Sequence, residues 1–111
     1  MKVPFLPQIG KTGIKAGAIV RSEAGHDRFG VFIVLWVQDD FAYLADGRSR
    51  LYEKPKKKRV SHIRKLAMLP ERQALDQIRR LGDAGQRNAA LRKLLRQYID
   101  QELMQRRSSD V

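Results

Sequence analysis

Five cations stand within six residues at Lys54-Pro55-Lys56-Lys57-Lys58-Arg59, with Arg48, Arg50, Arg64 and Lys65 close by in the chain. The chemistry these side chains offer is phosphate neutralisation. Pro55 favours an extended backbone, so the neighbouring lysines are expected to project along a strip instead of gathering on one helical face. Such a strip can track a phosphate backbone, each neutralised phosphate releasing condensed counterions. It fixes position and carries no base information. The competing reading is a solvated basic edge that protects a strand from unwanted pairing. The same letters match a nuclear-import signal, but a compact domain is a poor setting for a flexible address.

A second candidate contact is the loop of residues 23–29. Gly25 allows positive φ or close approach of backbone to a phosphate, and Arg21, His26 and Arg28 can donate hydrogen bonds. Phe29 is of a type that stacks on unpaired bases. Aromatics beside small cores are more often structural, so Phe29 is expected to plug the end of the fold.

Other chemistry finds little material. His26 and His62 are the only histidines and stand apart, without the local spacing of a metal site. Ser22, Ser49 and Ser61 have no base and orienting acid beside them in sequence. Asp39, Asp40 and Asp46 fall largely in turn chemistry, and no glycine-rich nucleotide loop occurs. Cysteine is absent, which removes disulfides, thiolate-held zinc and thiol nucleophiles together. No enzymatic activity, catalytic residue, metal or cofactor is expected.

The elements that must hold these cations fit one domain, or a small domain with an appendage, in 111 residues. A net charge of +11, from 23 Lys+Arg against 12 Asp+Glu, creates a field that draws phosphates. At 42% hydrophobic residues there is enough apolar material for a core. The opening MKVPFLPQIG is broken by Pro4 and Pro7 and is not expected to act as a secretory signal. The apolar run at residues 31–37 is far short of the ~20 residues that cross a bilayer. The expectation is a soluble, cytoplasmic protein with no membrane partner.

Residues 1–14 read as an irregular lead-in with two prolines and two glycines. A short strand is expected at 18–22. A second at 31–37 is apolar on both faces, as in a strand covered on both sides. After Gln38-Asp39-Asp40 a third strand spans 41–45, and Asp46-Gly47 signals a hairpin turn. Residues 48–52 are expected to pair back, with Pro55 ending that run or confining it to an edge. A last short strand at 57–60 precedes a turn at 61–64. Five short strands suggest a strongly bent sheet or a small barrel. Trp36, in mid-strand, is expected in the core.

After Leu69 the periodicity becomes helical. Pro70 suits a first helical turn, and Leu75, Ile78 and Leu81 share one side up to the break at 82–85. From Gln86 onward Ala90, Leu91, Leu94, Leu95, Tyr98, Ile99 and Leu103 recur at three- and four-residue spacing. A helix ending near Arg106-Arg107, antiparallel to the first, is expected. Its reverse side carries Arg87, Arg92, Lys93, Arg96, Arg106 and Arg107. The stripe is expected to dock on the strands or the first helix, the alternative being a partner-binding or dimerising surface.

Gly17-Ala18-Ile19-Val20, Ala24-Gly25, Asp27, Phe32-Ile33-Val34, Ala45-Asp46-Gly47, Glu53 to Lys58 and His62-Ile63 together resemble the bacterial KOW-domain RNA-binding proteins. Those are similar to a KOW-bearing group of archaeal and eukaryotic large-subunit ribosomal proteins. The resemblance covers residues 15–66. It implies an SH3-like barrel whose first two strands and intervening loop touch RNA, without catalysis. It further implies ribosomal RNA, and with it ribosomal proteins, as partners. The sequence departs from the family at Arg28-Phe29-Gly30, where members carry a small basic loop ending in glycine after the aspartate. The helical region lies outside the shared pattern. The expected architecture is therefore α+β: a KOW-type, SH3-like β-barrel over residues 15–69, then a helical hairpin over 70–107. The expected function is non-enzymatic RNA binding through Arg21, Gly25, His26, Arg28, Arg48, Arg50, Lys54, Lys56, Lys57, Lys58, Arg59, Arg64 and Lys65. The alternative is a protein–protein module using the barrel or the amphipathic helix.

Overall fold

The computed structural model describes residues 13–109. Most of the lead-in expected over 1–14 lies outside the described residues, and Ile14 is buried in the core. The strands are β1 (Ala18–Ser22), β2 (Val31–Gln38), β3 (Phe41–Ala45), β4 (Lys56–Arg59) and β5 (Ile63–Met68), with a single 3-10 turn, Val60–His62, between the last two. Helices α1 (Ala74–Arg80) and α2 (Ala84–Ser109) follow. The strands make one antiparallel sheet in the order β4-β3-β2-β1-β5. β4 and β5 form its two ends, so the sheet is open and the architecture is α+β.

Period-2 alternation sends the apolar residues of this sheet to two cores. Val20, Phe32, Val34, Ala42 and Leu44 point to one face and meet Ile14, Val60 and Ile63 there. Ile19, Ile33, Leu35 and Ala45 point to the other face, where Ile78, Leu91 and Leu95 of the helices cover them. Both-sided burial of β2 thus holds from Phe32 to Leu35 and stops there. Between Val34 and Trp36 the register shifts against β3. Past that irregularity Trp36 is 43% exposed, because the helices reach no further along the face. The expectation that Trp36 is a core residue is overturned.

Two boundaries differ from expectation for identifiable reasons. Residues 48–52 do not pair back. Their N–H groups are taken by side chains: the Asp46 carboxylate accepts from Arg48 (2.9 Å) and Arg50 (2.8 Å), and Asn88 Oδ1 accepts from Tyr52 (2.8 Å). β4 begins instead directly after Pro55 and lies at the sheet edge, where proline's missing N–H does no harm. Residues 63–68, of which 63 and 64 are expected in a turn, form β5 and pair with β1, with a register shift that masks any clean alternation.

Two helices follow the sheet, with ends shifted from those expected. α1 starts at Ala74, so Pro70 precedes the helix instead of opening it. α2 starts at Ala84, with the Asp83 carboxylate accepting the Gln86 N–H at 3.0 Å, an N-cap bond. It runs past Arg107 to Ser109. Its stripe docks as expected over Leu91 and Leu95. Farther along, Ile99, Leu103 and Met104 are exposed.

α2 is tied to the 46–53 loop by polar contacts. Buried Asn88 accepts from Tyr52 N–H and donates to Glu53 Oε1 (2.9 Å) and to Ala84 O (2.9 Å). Arg87 donates to Glu53 at 3.0 Å and Arg92 to Gly47 O at 2.6 Å. The Asn88 amide and then the Arg87 guanidinium outweigh desolvation and hold the Glu53 carboxyl below its ordinary value. At Gly47, with φ +78°, a Cβ would overlap the Asn88 carbonyl oxygen. Glycine is required there by close approach of helix to loop as well as by conformation.

Candidate nucleic-acid interface

The pleat divides the cations of β4. Its register sets Arg59 opposite Phe41, Lys58 opposite Ala42, Lys57 opposite Tyr43 and Lys56 opposite Leu44. Lys56 and Lys58 therefore share the face of the Val20–Leu44 core, and Lys57 and Arg59 share the other. A single strip of neighbouring lysines does not form.

Lys58 is buried and turned inward. Its side chain is 8% exposed; Nζ donates to Ala24 O at 2.6 Å and lies 3.8 Å from the Asp27 carboxylate. Ala24 follows β1, three strand spacings or about 14 Å from β4 in a flat sheet. The contact thus requires strong bending. Arg50 is engaged on the same acid, its guanidinium donating to both Asp27 oxygens at 3.1 and 3.2 Å. Lys58, named above as an RNA contact, is buried, and Arg50, also named there, keeps part of its side chain exposed; both hold the β1–β2 loop through Asp27.

That loop is built by its backbone. Arg28 N–H donates to Gly25 O, Gly30 N–H to Asp27 O, and Phe29 N–H to Ser22 O. Gly25 has φ +77° and serves the turn. Phe29 also takes positive φ (+72°), and its ring is 67% exposed instead of plugging the fold. The Arg28 guanidinium lies 5.1 Å from that ring's centroid. His26 and Arg28 are exposed on the loop. Because Lys58 reaches Ala24, this loop and β4 are neighbours.

The remaining sequence-predicted residues lie on separate parts of the surface. Arg21 on β1 pairs with Glu23 at 3.2 Å. Arg64 sits opposite Arg21 on β5, with Lys65 beside it, on the strand that follows β4 after the 3-10 turn. Arg48 is exposed in the loop after β3, near Arg92 and Arg96 of α2. Lys54 is exposed just before β4. Through Lys58 the fold brings the β1–β2 loop to the face of β4 that carries Lys56, while Lys57 and Arg59 lie on the opposite face and Lys54 precedes the strand. None of Lys54, Lys56, Lys57 and Arg59 has a carboxylate within ion-pair distance among the described residues.

On the outward side of β4, Lys57 Nζ sits 4.3 Å and the Arg59 guanidinium 5.0 Å from the Phe41 ring centroid. Next to them Trp36 and Tyr43 stack across the β2–β3 pair, with centroids 4.3 Å apart and planes 14° apart. Three aromatic rings and two cations thus continue the sheet face that the helices cover farther along. Sequence reasoning placed Trp36 in the core and passed over Phe41 and Tyr43. Phe41 and Tyr43 share a face by simple alternation, a usable signal; the register shift at Leu35 hides the placement of Trp36 beside them.

Among the described residues no three His, Asp or Glu side chains come together to hold a metal ion, and no helix is long and apolar enough to cross a membrane. No protein-family model matches this chain, and no curated protein matches it in sequence.

Proposed function

We propose that this protein binds RNA without catalysis, using the β4 edge and the adjoining β1–β2 loop to neutralise the phosphate backbone. The observation that carries the reading is a set of cations along one sheet edge, Lys54, Lys56, Lys57 and Arg59, with no ion-pair partner among the described residues, and Arg28 and His26 on the loop that Lys58 ties to that strand. No carboxylate among the described residues pairs with these four lysine and arginine side chains, so their charge can displace counterions from a polyanion. The resemblance to KOW-domain RNA-binding proteins points the same way. The strand order and the 3-10 turn between β4 and β5 support assigning the bent sheet to the SH3-like type. Structured RNA of the ribosome is the partner this resemblance favours, in the cytoplasm.

The test is anisotropy titration of a labelled RNA hairpin with a single-stranded flank, repeated across salt concentrations. Double neutralisation, Lys57→Gln with Arg59→Gln, is expected to weaken binding and reduce the log K against log salt slope by roughly 1 to 2. Arg80→Gln on α1 is expected to change neither. Equal slopes for all three proteins would refute the assignment of this edge.

Exposure of Ile99, Leu103 and Met104 on α2 favours a second reading, a helix that grips a protein partner. Under it, Leu103→Lys would abolish association with that partner, while the β4 neutralisations would leave it intact.

A further inference from the structure

The Trp36–Tyr43 pair is not accounted for by phosphate neutralisation. One face of the indole lies against Tyr43, yet 43% of Trp36 is open to solvent. An aromatic of this size usually finds cover in a small domain. Phe41, two residues along β3 on the same face, stands about 7 Å away at strand spacing and is flanked by Lys57 and Arg59. Flat rings beside cations are the arrangement that holds single-stranded nucleic acid, the rings stacking on bases while the cations meet phosphates.

Charge also orients the site. The β2–β3 turn carries Asp39 and Asp40, both exposed, at the tip beside Phe41. They repel phosphate from that end, whereas Lys57 and Arg59 attract it toward β4, Lys57 farther along the strand from the acids than Arg59. A nucleotide chain is thereby directed to lay its backbone on the β4 side and its bases on the Trp36–Tyr43 side. A duplex cannot use the rings, because its base faces are stacked within the helix. An unpaired base can.

We propose that the Trp36–Tyr43 pair is a stacking site for an unpaired nucleobase of RNA, whose phosphate is held by Lys57 and Arg59. This rests on the RNA-binding reading above and adds to it a subsite for single-stranded segments. Cross-strand aromatic pairs also stabilise sheets, so the test must separate stacking on a base from support of the fold.

The chain contains one tryptophan, so its emission reports this site alone. The full chain is titrated with three end-labelled RNAs of equal length: a single strand, the same strand with abasic positions, and a duplex. Anisotropy and tryptophan emission are followed together. The single strand is expected to quench Trp36 in step with the rise in anisotropy. The abasic strand, with the same phosphates, is expected to bind about five- to a hundredfold more weakly without quenching. The duplex is expected to bind without quenching. Trp36→Leu should lose affinity for the single strand by a similar factor and keep the salt slope; Trp36→Phe, which retains a ring, should recover most of it. If Trp36→Leu fails to fold by circular dichroism, the abasic comparison on the unaltered protein decides. Equal affinity for intact and abasic strands, with unchanged emission, overturns the stacking site and leaves phosphate binding standing. Failure of all three RNAs to bind overturns both.

Discussion

Replacing Lys58 by methionine separates a structural cation from its neighbours in the same run. The substitution keeps an unbranched stem of similar volume and removes the charge. What is lost is one charge-assisted hydrogen bond to Ala24 O at 2.6 Å and a weaker ionic contact with Asp27 at 3.8 Å. A hydrogen bond to a charged group contributes about 1.5–3 kcal/mol. No group is orphaned, because the Ser22 hydroxyl still donates to Ala24 O and Arg50 still holds Asp27. The loss should therefore fall near 2 kcal/mol, in the lower half of that range. For a domain of this size that lowers Tm by about 8 °C. Lys57→Met loses only an exposed cation–π contact, about 0.5–1 kcal/mol. The assay is thermal unfolding by circular dichroism beside the RNA salt titration. Lys58→Met should lower Tm and keep the salt slope; Lys57→Met should hold Tm within a few degrees and reduce the slope. An unchanged Tm with a reduced slope in Lys58→Met would mean that Lys58 faces ligand, and the division of β4 by the pleat would be wrong.

Three other substitutions probe the frame around the site. Gly47→Ala sets a residue with Cβ at φ +78° against the Asn88 carbonyl; conformational strain of about 1–2 kcal/mol and displacement of α2 should together cost about 2–4 kcal/mol in urea unfolding. Asn88→Ala leaves the Tyr52 N–H without its acceptor and should destabilise by about 2–3 kcal/mol, measured the same way. Burial alone would raise the Asp46 carboxyl, but the Arg50 and Arg48 N–H groups and the Ser49 hydroxyl hold it below its ordinary value of 3.8. A carboxyl lowered in the folded state contributes stability that is present above its unfolded value and lost as pH falls through the folded one. Urea midpoints should therefore decline below about pH 4, and Asp46→Asn should make that decline shallower.

Much of this fold was legible because local signals and tertiary needs agreed. The β-branched run at β2, the Asp39-Asp40 turn, the glycine at position 25 and the three- and four-residue spacing of Leu91 and Leu95 all carry their meaning in adjacent letters. What was not legible depends on partners distant in sequence. The Asp46-Gly47 turn signal makes residues 48–52 read as a returning strand, but Asn88, 36 residues beyond Tyr52, takes the N–H that a ladder would have used. β5 is charged and irregular, and is a strand because β1 needs a second neighbour. Lys58 cannot be told from Lys57 by composition. Only the position of Asp27, held across the bend of the sheet, shows which of the two turns inward.

The C-terminal helices bear on the site although none of their residues forms it. Without α2 the face made by Ile19, Ile33, Leu35 and Ala45 would be an exposed apolar surface, prone to nonspecific association. With α2 in place that face is closed as far as Leu35, and what remains open is the stretch where rings alternate with cations. The position of α2 is set by Gly47, Asn88 and the Arg87–Glu53 pair, all at the loop that leads from β3 to β4. The contacts that dock the helix and those that present Lys57 and Arg59 thus share one connection. A change that loosens α2 should therefore weaken the proposed RNA binding through the loop, without altering a cation of the β4 edge.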